Sequence, residues 1–248
     1  MAEEKRELTR GVSMFAVKKT PHKRDIFKSG DYIQYFTPDD KKNPFHEIYK
    51  QKKQDTIEII SVSGESMKVL DVGGGMGRLS LALAGSVQGK VVMADISRDM
   101  LKLVLKDSNG VNNVDLINAD AHQLPFKDKF FDCIAGLDLL CHLKEPHKAL
   151  REFHRVLSDK GILILDSTNS NPLWTIFYPR YVGKNPLRWL RTIKFHGVLP
   201  GWETIVKHYT KSTFFSFLHD AGFKVIREID YGPVICPKWH LAVSRKIS

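Results

Sequence analysis

An alternating pattern of one acid and three glycines, Asp71-x-Gly73-x-Gly75-x-Gly77, is the part of the sequence best suited to chemistry. Glycines at this spacing let backbone amides approach a ligand with no Cβ in the way. The apolar residues 68–72 read as a buried parallel strand, and the residues after Gly77 read as a helix. The start of a helix adds unpaired N–H donors and the positive end of a dipole. The pattern therefore predicts a site for a polar ligand that carries a nucleoside.

A second acid narrows the choice of ligand. Residues 90–94 are apolar and lead directly into Asp95. A carboxylate at the tip of a second parallel strand can accept hydrogen bonds from both ribose hydroxyls of a nucleoside. A dinucleotide site would require G-x-G-x-x-G, and counting from Gly73 the last position is occupied by Arg78. The sequence therefore favours a nucleoside ligand other than a dinucleotide.

Further motifs follow at consistent spacing: Asn118-Ala119-Asp120-Ala121, Leu124-Pro125-Phe126, Phe131-Asp132-Cys133-Ile134 and the helical residues 149–157 before Gly161. Together with the glycine pattern and Asp95, they resemble the class I S-adenosylmethionine-dependent methyltransferases. The resemblance is closest to the branch that contains the ubiquinone and menaquinone biosynthesis enzymes and many small-molecule methyltransferases. It is strong over residues 67–166 and weaker over residues 209–243.

The resemblance implies a cofactor, S-adenosyl-L-methionine, and no metal. Residues of the glycine turn would cradle its methionine part, Asp95 would take the ribose hydroxyls, and Asp120 would bond the adenine amino group. The complete set implied to contact the cofactor is Asp71, Gly73, Gly75, Gly77, Asp95, Ile96, Met100, Asp120, Ala121, Leu137 and Asp138.

Several of these residues also have a purely structural interpretation. Asp71 would anchor the glycine turn by accepting local amides, and Met100 would be plain core at helical spacing. Asp120 would cap a turn before Pro125. Asp95 is harder to explain structurally, because an acid that ends an apolar strand needs a partner.

A general base is less clearly marked than the cofactor site. His142 follows the fourth strand, where enzymes of the family often face the reacting centre, so it is the candidate catalytic residue. His196, His208 and Tyr209 come from a later segment and its exit, and are alternatives. Asp166 would either face the pocket or simply end the fifth strand.

Strands alternating with helices predict an α/β fold with a Rossmann-like, doubly wound, mostly parallel sheet of seven strands. The resemblance adds that the last strand is antiparallel. We interpret residues 1–248 as one domain, with an N-terminal helical cap (1–63), a cofactor-binding core (64–166), a substrate-side insert (167–208) and a C-terminal part of the core (209–248).

Three residues mark predicted helix ends. Ser97 is a plausible N-cap, Pro146 suits the first turn of a helix, and Gly222 suits the position just after a helix.

The predicted insert is rich in aromatic residues and cations, including Arg188 and Arg191. Such a long segment between core elements is more often functional than idle. We expect it to cover the methyl acceptor together with the N-terminal cap. The alternative is that it packs only on its own domain.

Composition limits the partners and the location that can be expected for the protein. The chain has 248 residues and a formal net charge of +10, which favours anionic partners such as phosphorylated molecules, an acidic membrane surface or nucleic acid. No apolar run approaches the roughly 20 residues of a membrane span, and no secretory signal is visible. Cys133, Cys141 and Cys236 have no metal-ligand spacing, so a cytoplasmic location is expected.

Three functions remain open from the sequence. The leading one is methyl transfer to a small-molecule or lipid-like acceptor. An RNA or protein methyltransferase is the second, although Gly136-Leu137-Asp138-Leu139 stands where the nucleic-acid enzymes carry an N-P-P-Y/F or D-P-P-Y tetrad. A non-catalytic protein that only binds S-adenosylmethionine is the third.

Overall fold

A computed structural model of the chain describes residues 45–62, 66–107, 113–169, 207–234 and 237–247. Within these residues the chain alternates between strands and helices, as the sequence predicts. The elements are α1 (His46–Ser61), β1 (Met67–Val72), α2 (Arg78–Ala84), β2 (Gly89–Asp95), α3 (Arg98–Asp107), β3 (Val114–Asn118), β4 (Phe131–Gly136), α4 (Pro146–Val156), β5 (Leu157–Thr168), α5 (Lys211–Asp220), β6 (Phe223–Tyr231) and β7 (Trp239–Lys246).

The seven strands form one sheet in the order β3-β2-β1-β4-β5-β7-β6. Strands β1 to β5 pair in parallel, and β7 runs antiparallel to both β5 and β6. The predicted sheet and its antiparallel last strand are therefore confirmed. Because β7 is reversed, its first residue, Trp239, pairs with Thr168 at the end of β5. One edge of the sheet thus collects the carboxyl ends of β1 to β5 and the start of β7, where ligands bind in open α/β sheets.

Apolar side chains cover both faces of the sheet. Phe131, Phe153 and Phe214 are fully buried on the face that packs against α4 and α5. Phe45 and Trp239 are buried on the opposite face, with their ring centroids 4.9 Å apart. Burial on both faces explains why the central strands read as continuous apolar runs.

The three predicted helix ends are confirmed. The amide of Met100 donates to Ser97 Oγ at 3.4 Å, so Ser97 caps α3. Pro146 occupies the first turn of α4. Gly222 follows α5 with a φ of +83°, the left-handed conformation that favours glycine after a helix.

Strand β5 is longer than the sequence indicated. It starts at Leu157, which pairs with Phe131 across a register shift, and it continues through Ser167 and Thr168. Residues 167–168 were expected in the insert, but their pairing with β7 places them in the sheet. The insert therefore begins later than residue 167. Its residues 170–206 lie outside the described residues, as do residues 1–44 of the N-terminal cap.

Candidate active site at the carboxyl edge of the sheet

The glycine turn after β1 is held in a backbone shape that favours glycine. Gly73, Gly75 and Gly77 have φ values of +70°, +54° and +72°. A Cβ on Gly73 would lie 2.7 Å from Leu139 Cδ1, and one on Gly77 would lie 2.8 Å from Val104 Cγ1. At Gly75 the nearest atom to such a Cβ is a carbonyl oxygen 4.0 Å away. The turn is thus packed at both ends and has space in the middle, which forms a cradle for a ligand.

Asp95 lies beside this cradle at the end of β2. Its Oδ2 accepts a hydrogen bond from the Gly75 amide at 2.9 Å, and its Oδ1 accepts one from the Ser97 amide at 2.8 Å. Burial raises the pKa of Asp95, and the two amides oppose that effect. An ionised carboxylate has about four acceptor positions, so each oxygen can still accept from a hydroxyl. Asp95 is therefore suited to a ribose diol.

Asp71 plays a clear structural part. Its side chain is buried, and Ser80 Oγ donates to Asp71 Oδ2 at 2.6 Å. The bond ties β1 to the first turn of α2 across the glycine turn. Burial raises the pKa of Asp71 to about 6. The anchoring interpretation of Asp71 thus has direct geometric support, while its contact with a cofactor stays a prediction.

The predicted adenine residues lie around the ends of β2 and β3. Ile96 is 42% exposed next to Asp95, whereas Met100 and Ala121 are buried. Asp120 Oδ1 accepts from the amide of His122 at 2.9 Å and lies 2.6 Å from its ring Nδ1. These bonds lower the pKa of Asp120 and give it the turn-capping role that the sequence left open.

Asp138, just after β4, is fixed from three directions. Its backbone has a φ of +55°, and its amide donates to Asp166 Oδ1 at 2.6 Å. Its Oδ1 accepts from Lys52 Nζ at 2.8 Å and from Trp239 Nε1 at 3.1 Å. Helix α1 and strands β5 and β7 thus all hold one residue, the first and last through its carboxylate and β5 through its amide. We call Lys52, Asp138, Asp166 and Trp239 the Lys52 cluster.

Lys52 is the cation of this cluster and is only 1% exposed. It bonds Asp166 as well as Asp138, and its ammonium lies 5.0 Å and 4.9 Å from the ring centroids of Tyr49 and Trp239. Burial alone would lower the pKa of Lys52, but the two carboxylates outweigh burial and raise it. Lys52 therefore remains charged. Asp166 is buried too, and burial raises its pKa to about 6 against the pull of Lys52.

Two histidines lie at the same edge of the sheet. His142 ends a single 3₁₀ turn, Leu140–His142, and burial lowers its pKa to about 4. His208 Nδ1 lies 2.7 Å from Thr168 Oγ1. Burial, with the charges of Lys238 and His142, lowers the pKa of His208 to about 3. Both imidazoles are therefore neutral at physiological pH, and neighbouring Tyr209 has a buried hydroxyl with no hydrogen-bond partner among the described residues.

Comparisons with known proteins decide the family. A model of the methyltransferase domain matches residues 70–165. The ubiquinone/menaquinone biosynthesis C-methyltransferase UbiE of Shewanella frigidimarina is 34% identical over 193 residues, which cover 74% of this chain and 75% of that relative. The chain belongs to the class I S-adenosylmethionine-dependent methyltransferases. The UbiE enzyme of Yersinia pestis bv. Antiqua is 37% identical over 123 residues, 48% of this methyltransferase and 49% of that protein.

Solved structures show the same fold as the methyltransferase. The PH0226 protein of Pyrococcus horikoshii superposes with a TM-score of 0.67 at 22% identity, covering 87% of this chain and 98% of that one. Magnesium protoporphyrin IX methyltransferase of Synechocystis, solved with bound S-adenosylhomocysteine, has a TM-score of 0.66 at 21% identity and covers 90% and 97%.

The resemblance noted from the sequence is thus confirmed, and S-adenosyl-L-methionine is the cofactor of this methyltransferase. The residues present fit that cofactor. The open cradle at Gly75 and the carboxylate of Asp95 stand side by side, which suits a ligand with a chain joined to a ribose.

The structure brings most of the predicted residues to one edge of the sheet and adds others. Asp71, the glycines, Asp95, Asp120 and Asp138 all lie at or just after the carboxyl ends of β1 to β4. The sequence pattern assigned no role to Lys52 or Trp239. In the sequence Lys52 stands at helical spacing from Ile48 and Tyr49, and a lysine on an apolar face is the one signal that could have drawn attention to it.

Within the described residues, none of the helices combines the length and apolar character that crossing a membrane requires.

Proposed function

We propose that this methyltransferase transfers a methyl group to a small-molecule or lipid-like acceptor by in-line displacement. The observation that carries this proposal is the likeness to UbiE, a quinone biosynthesis C-methyltransferase, over three quarters of that relative. The residues from the end of β4 onward, Gly136-Leu137-Asp138-Leu139, support the same proposal, since they differ from the tetrad of nucleic-acid enzymes. Two buried free thiols, Cys133 and Cys141, are compatible with the proposed cytoplasmic setting.

The cofactor site of the proposal follows the carboxyl edge of the sheet. Gly73, Gly75 and Gly77 would seat the methionine part, with Asp71 anchoring their turn from below. Asp95 would accept the ribose hydroxyls. These backbone amides and carboxylates are held by the fold before any ligand arrives, so little ordering cost remains on binding.

The adenine and the methionine end have their own proposed contacts. Ile96 offers an exposed apolar surface beside Asp95, whereas Met100 and Ala121 are buried. Asp120 would receive the adenine amino group. Leu137 and Asp138 would border the methionine end, because Leu139 directly contacts the glycine turn at Gly73.

Bound S-adenosylmethionine supplies an electrophilic methyl group on a sulfonium. The protein then has to hold an acceptor in line and exclude water, and positioning of this kind accounts for much of the acceleration. His142 remains the candidate base. A neutral imidazole can accept a proton, although a pKa of about 4 makes it a weak base at neutral pH. His208 is the alternative at the same edge.

The acceptor side would be completed by the N-terminal cap and the insert. Thr168, His208 and Tyr209 lie where the chain leaves β5 and where it returns to the core. Arg188 and Arg191, which we propose for recognition of an amphiphilic or anionic acceptor, lie outside the described residues. Contact with an acidic membrane surface is part of this proposal, in keeping with the net charge of +10.

The substrate class can be tested with labelled cofactor. The protein is incubated with methyl-labelled S-adenosylmethionine and cell extract, and the products are fractionated into lipid, small-molecule, RNA and protein pools. We expect label in the lipid or small-molecule pool. Label in RNA or protein would replace the proposed acceptor class, and no label with intact cofactor binding would indicate a non-catalytic protein.

The cofactor site can be tested with Asp95→Ala. A hydrogen bond to a charged group contributes about 1.5–3 kcal/mol, so affinity for S-adenosylhomocysteine should fall about 10- to 150-fold. Calorimetry measures the dissociation constant. Asp99→Ala, an exposed acid on α3 paired with Lys102, is the matched control and should bind normally. An unchanged constant in Asp95→Ala, or binding of NAD in place of S-adenosylhomocysteine, contradicts the proposed site.

A further inference from the structure

The Lys52 cluster has more negative than positive charge. It contains one lysine and two carboxylates; the lysine bonds both carboxylates, and Asp166 also accepts from the backbone amide of Asp138. The side chain of Asp166 is 0% exposed, whereas that of Asp138 is 26% exposed. The surplus negative charge therefore reaches the surface of the site at Asp138. A second cation arriving there would balance the cluster.

The orientation of Asp138 is determined by its partners. Aspartate tolerates the left-handed conformation better than most residues, but it adopts it only where the surroundings hold it. Here the carboxylate of Asp166 holds the backbone amide, while Lys52 and Trp239 share one oxygen, Oδ1. None of these three contacts uses Asp138 Oδ2, and the next residue, Leu139, lies against the glycine turn at Gly73.

Lys52 itself does not reach a ligand. Its ammonium is enclosed by the rings of Tyr49 and Trp239 and by both carboxylates, and the side chain is 1% exposed. Its effect on a ligand must therefore pass through Asp138. Since Lys52 lies on α1, the orientation of Asp138 also depends on how α1 packs against the core.

We propose that Lys52 is a positioning residue that orients the carboxylate of Asp138 toward the α-ammonium group at the methionine end of the cofactor. The packing of α1 then completes the cofactor site, although α1 itself lies before the glycine motif in the sequence. This inference rests on the proposed cofactor site, in which Asp138 borders the methionine end.

The test compares two ligands that differ at that end. S-adenosylhomocysteine has the α-ammonium group, whereas 5′-deoxy-5′-methylthioadenosine has the nucleoside and sulfur but no amino-acid part. In Lys52→Met we expect calorimetry to show S-adenosylhomocysteine binding weakened about tenfold, with methylthioadenosine binding unchanged. Lys50→Met, an exposed lysine on the same helix, is the matched control and should bind both ligands normally.

A second variant guards against misfolding. Lys52→Met alone leaves the carboxylates of Asp138 and Asp166 without their shared cation, whereas Lys52→Met with Asp166→Asn keeps the net charge of the cluster. The asparagine can still accept the Asp138 amide through its side-chain oxygen. This double variant should fold and should show the same selective loss for S-adenosylhomocysteine.

The outcomes separate the two proposals. Equal loss of both ligands in the folded double variant would make Lys52 a structural residue and overturn its positioning role, as would unchanged binding of both. An error in the proposed cofactor site would give a different result. In that case Asp95→Ala, which keeps Lys52, would bind both ligands as tightly as the wild-type protein does.

Discussion

The two halves of the carboxyl edge of the sheet differ in how far apart in the sequence their contacting residues lie. In the half formed by β1, β2 and β3, Ser80 bonds Asp71 from 9 residues away and Gly75 bonds Asp95 from 20. In the half formed by α1, β4, β5 and β7, Lys52 reaches Asp138 over 86 residues and Asp166 over 114. The first half is a local motif that a family shares, and the second exists only once the whole sheet has formed.

The second half also holds groups that burial keeps uncharged, and the largest predicted effect concerns His208. Its pKa of about 3 lies below the ordinary value of 6.5, so the unfolded chain takes up a proton first as pH falls. The stability that neutral His208 contributes is therefore complete above pH 6.5 and is lost as pH falls toward about 3. At about 1.4 kcal/mol for each pKa unit, the full loss is about 5 kcal/mol.

His208→Gln should remove this acid sensitivity, because glutamine does not titrate and its amide can still bond Thr168. Urea unfolding at pH 7.5 and pH 4 measures the difference. By pH 4 the wild-type protein should have lost about 3 kcal/mol more than the variant. His219→Gln, an exposed histidine on α5, should follow the wild type. Parallel pH profiles for His208→Gln and wild type would show that His208 is not held neutral.

The first half has the opposite dependence on pH, through Asp71. Its pKa is raised to about 6, so the folded protein takes up a proton before the unfolded chain does. The protonated Asp71 side chain therefore stabilises the folded state at low pH, and this stabilisation is lost as pH rises from about 4 to about 6. Asp71→Asn keeps an acceptor for Ser80 and avoids that loss, so it should be about 3 kcal/mol more stable than wild type at pH 8.

Chemical unfolding of Asp71→Asn at pH 8 and at pH 4 provides the measurement. The advantage should shrink to less than about 1 kcal/mol at the lower pH, where the folded wild-type carboxyl is protonated and the unfolded one is only partly ionised. Asp99→Asn, on the exposed side of α3, serves as the control and should match wild type at both values. A variant less stable than wild type at pH 8 would mean that ionised Asp71 stabilises the fold.

The smallest predicted effect compares one helix cap near each half. Ser97 caps α3 beside Asp95, and Thr210 caps α5 beside the exit of the insert by accepting the Thr213 amide at 3.2 Å. Replacing either residue with alanine should cost about 1 kcal/mol of unfolding free energy, measured by urea titration. A much larger loss in Ser97→Ala than in Thr210→Ala would show that Ser97 also supports the turn at Asp95.

Sequence patterns predict the first half well because each of its signals is local. A strand, a glycine turn and an acid at the next strand tip follow within about 25 positions, and the cap at Ser97 is read from its own neighbours. The order of motifs also predicts the sheet, since parallel strands joined by helices admit few topologies.

Sequence patterns do not predict the second half, because its contacts join residues that are far apart in the chain. Asp166 was read either as a pocket residue or as a strand end, and only the arrival of Lys52 shows that it balances a buried cation. The end of β5 was placed two residues early, because pairing with β7 extends it and no signal near Asp166 reports that partner. Asp120, in the first half, was ambiguous for a different reason, since its partner His122 is only two residues away and a turn cap and a ligand contact share the same local sequence.

The position of Trp239 has a consequence for synthesis. Its indole completes the Lys52 cluster, yet it follows Asp138 by 101 residues. At about 5–20 residues per second, a ribosome needs roughly 5–20 seconds to add that length. The glycine turn and Asp95 are therefore synthesised well before Trp239, so the Lys52 cluster is the last part of this edge of the sheet to become complete.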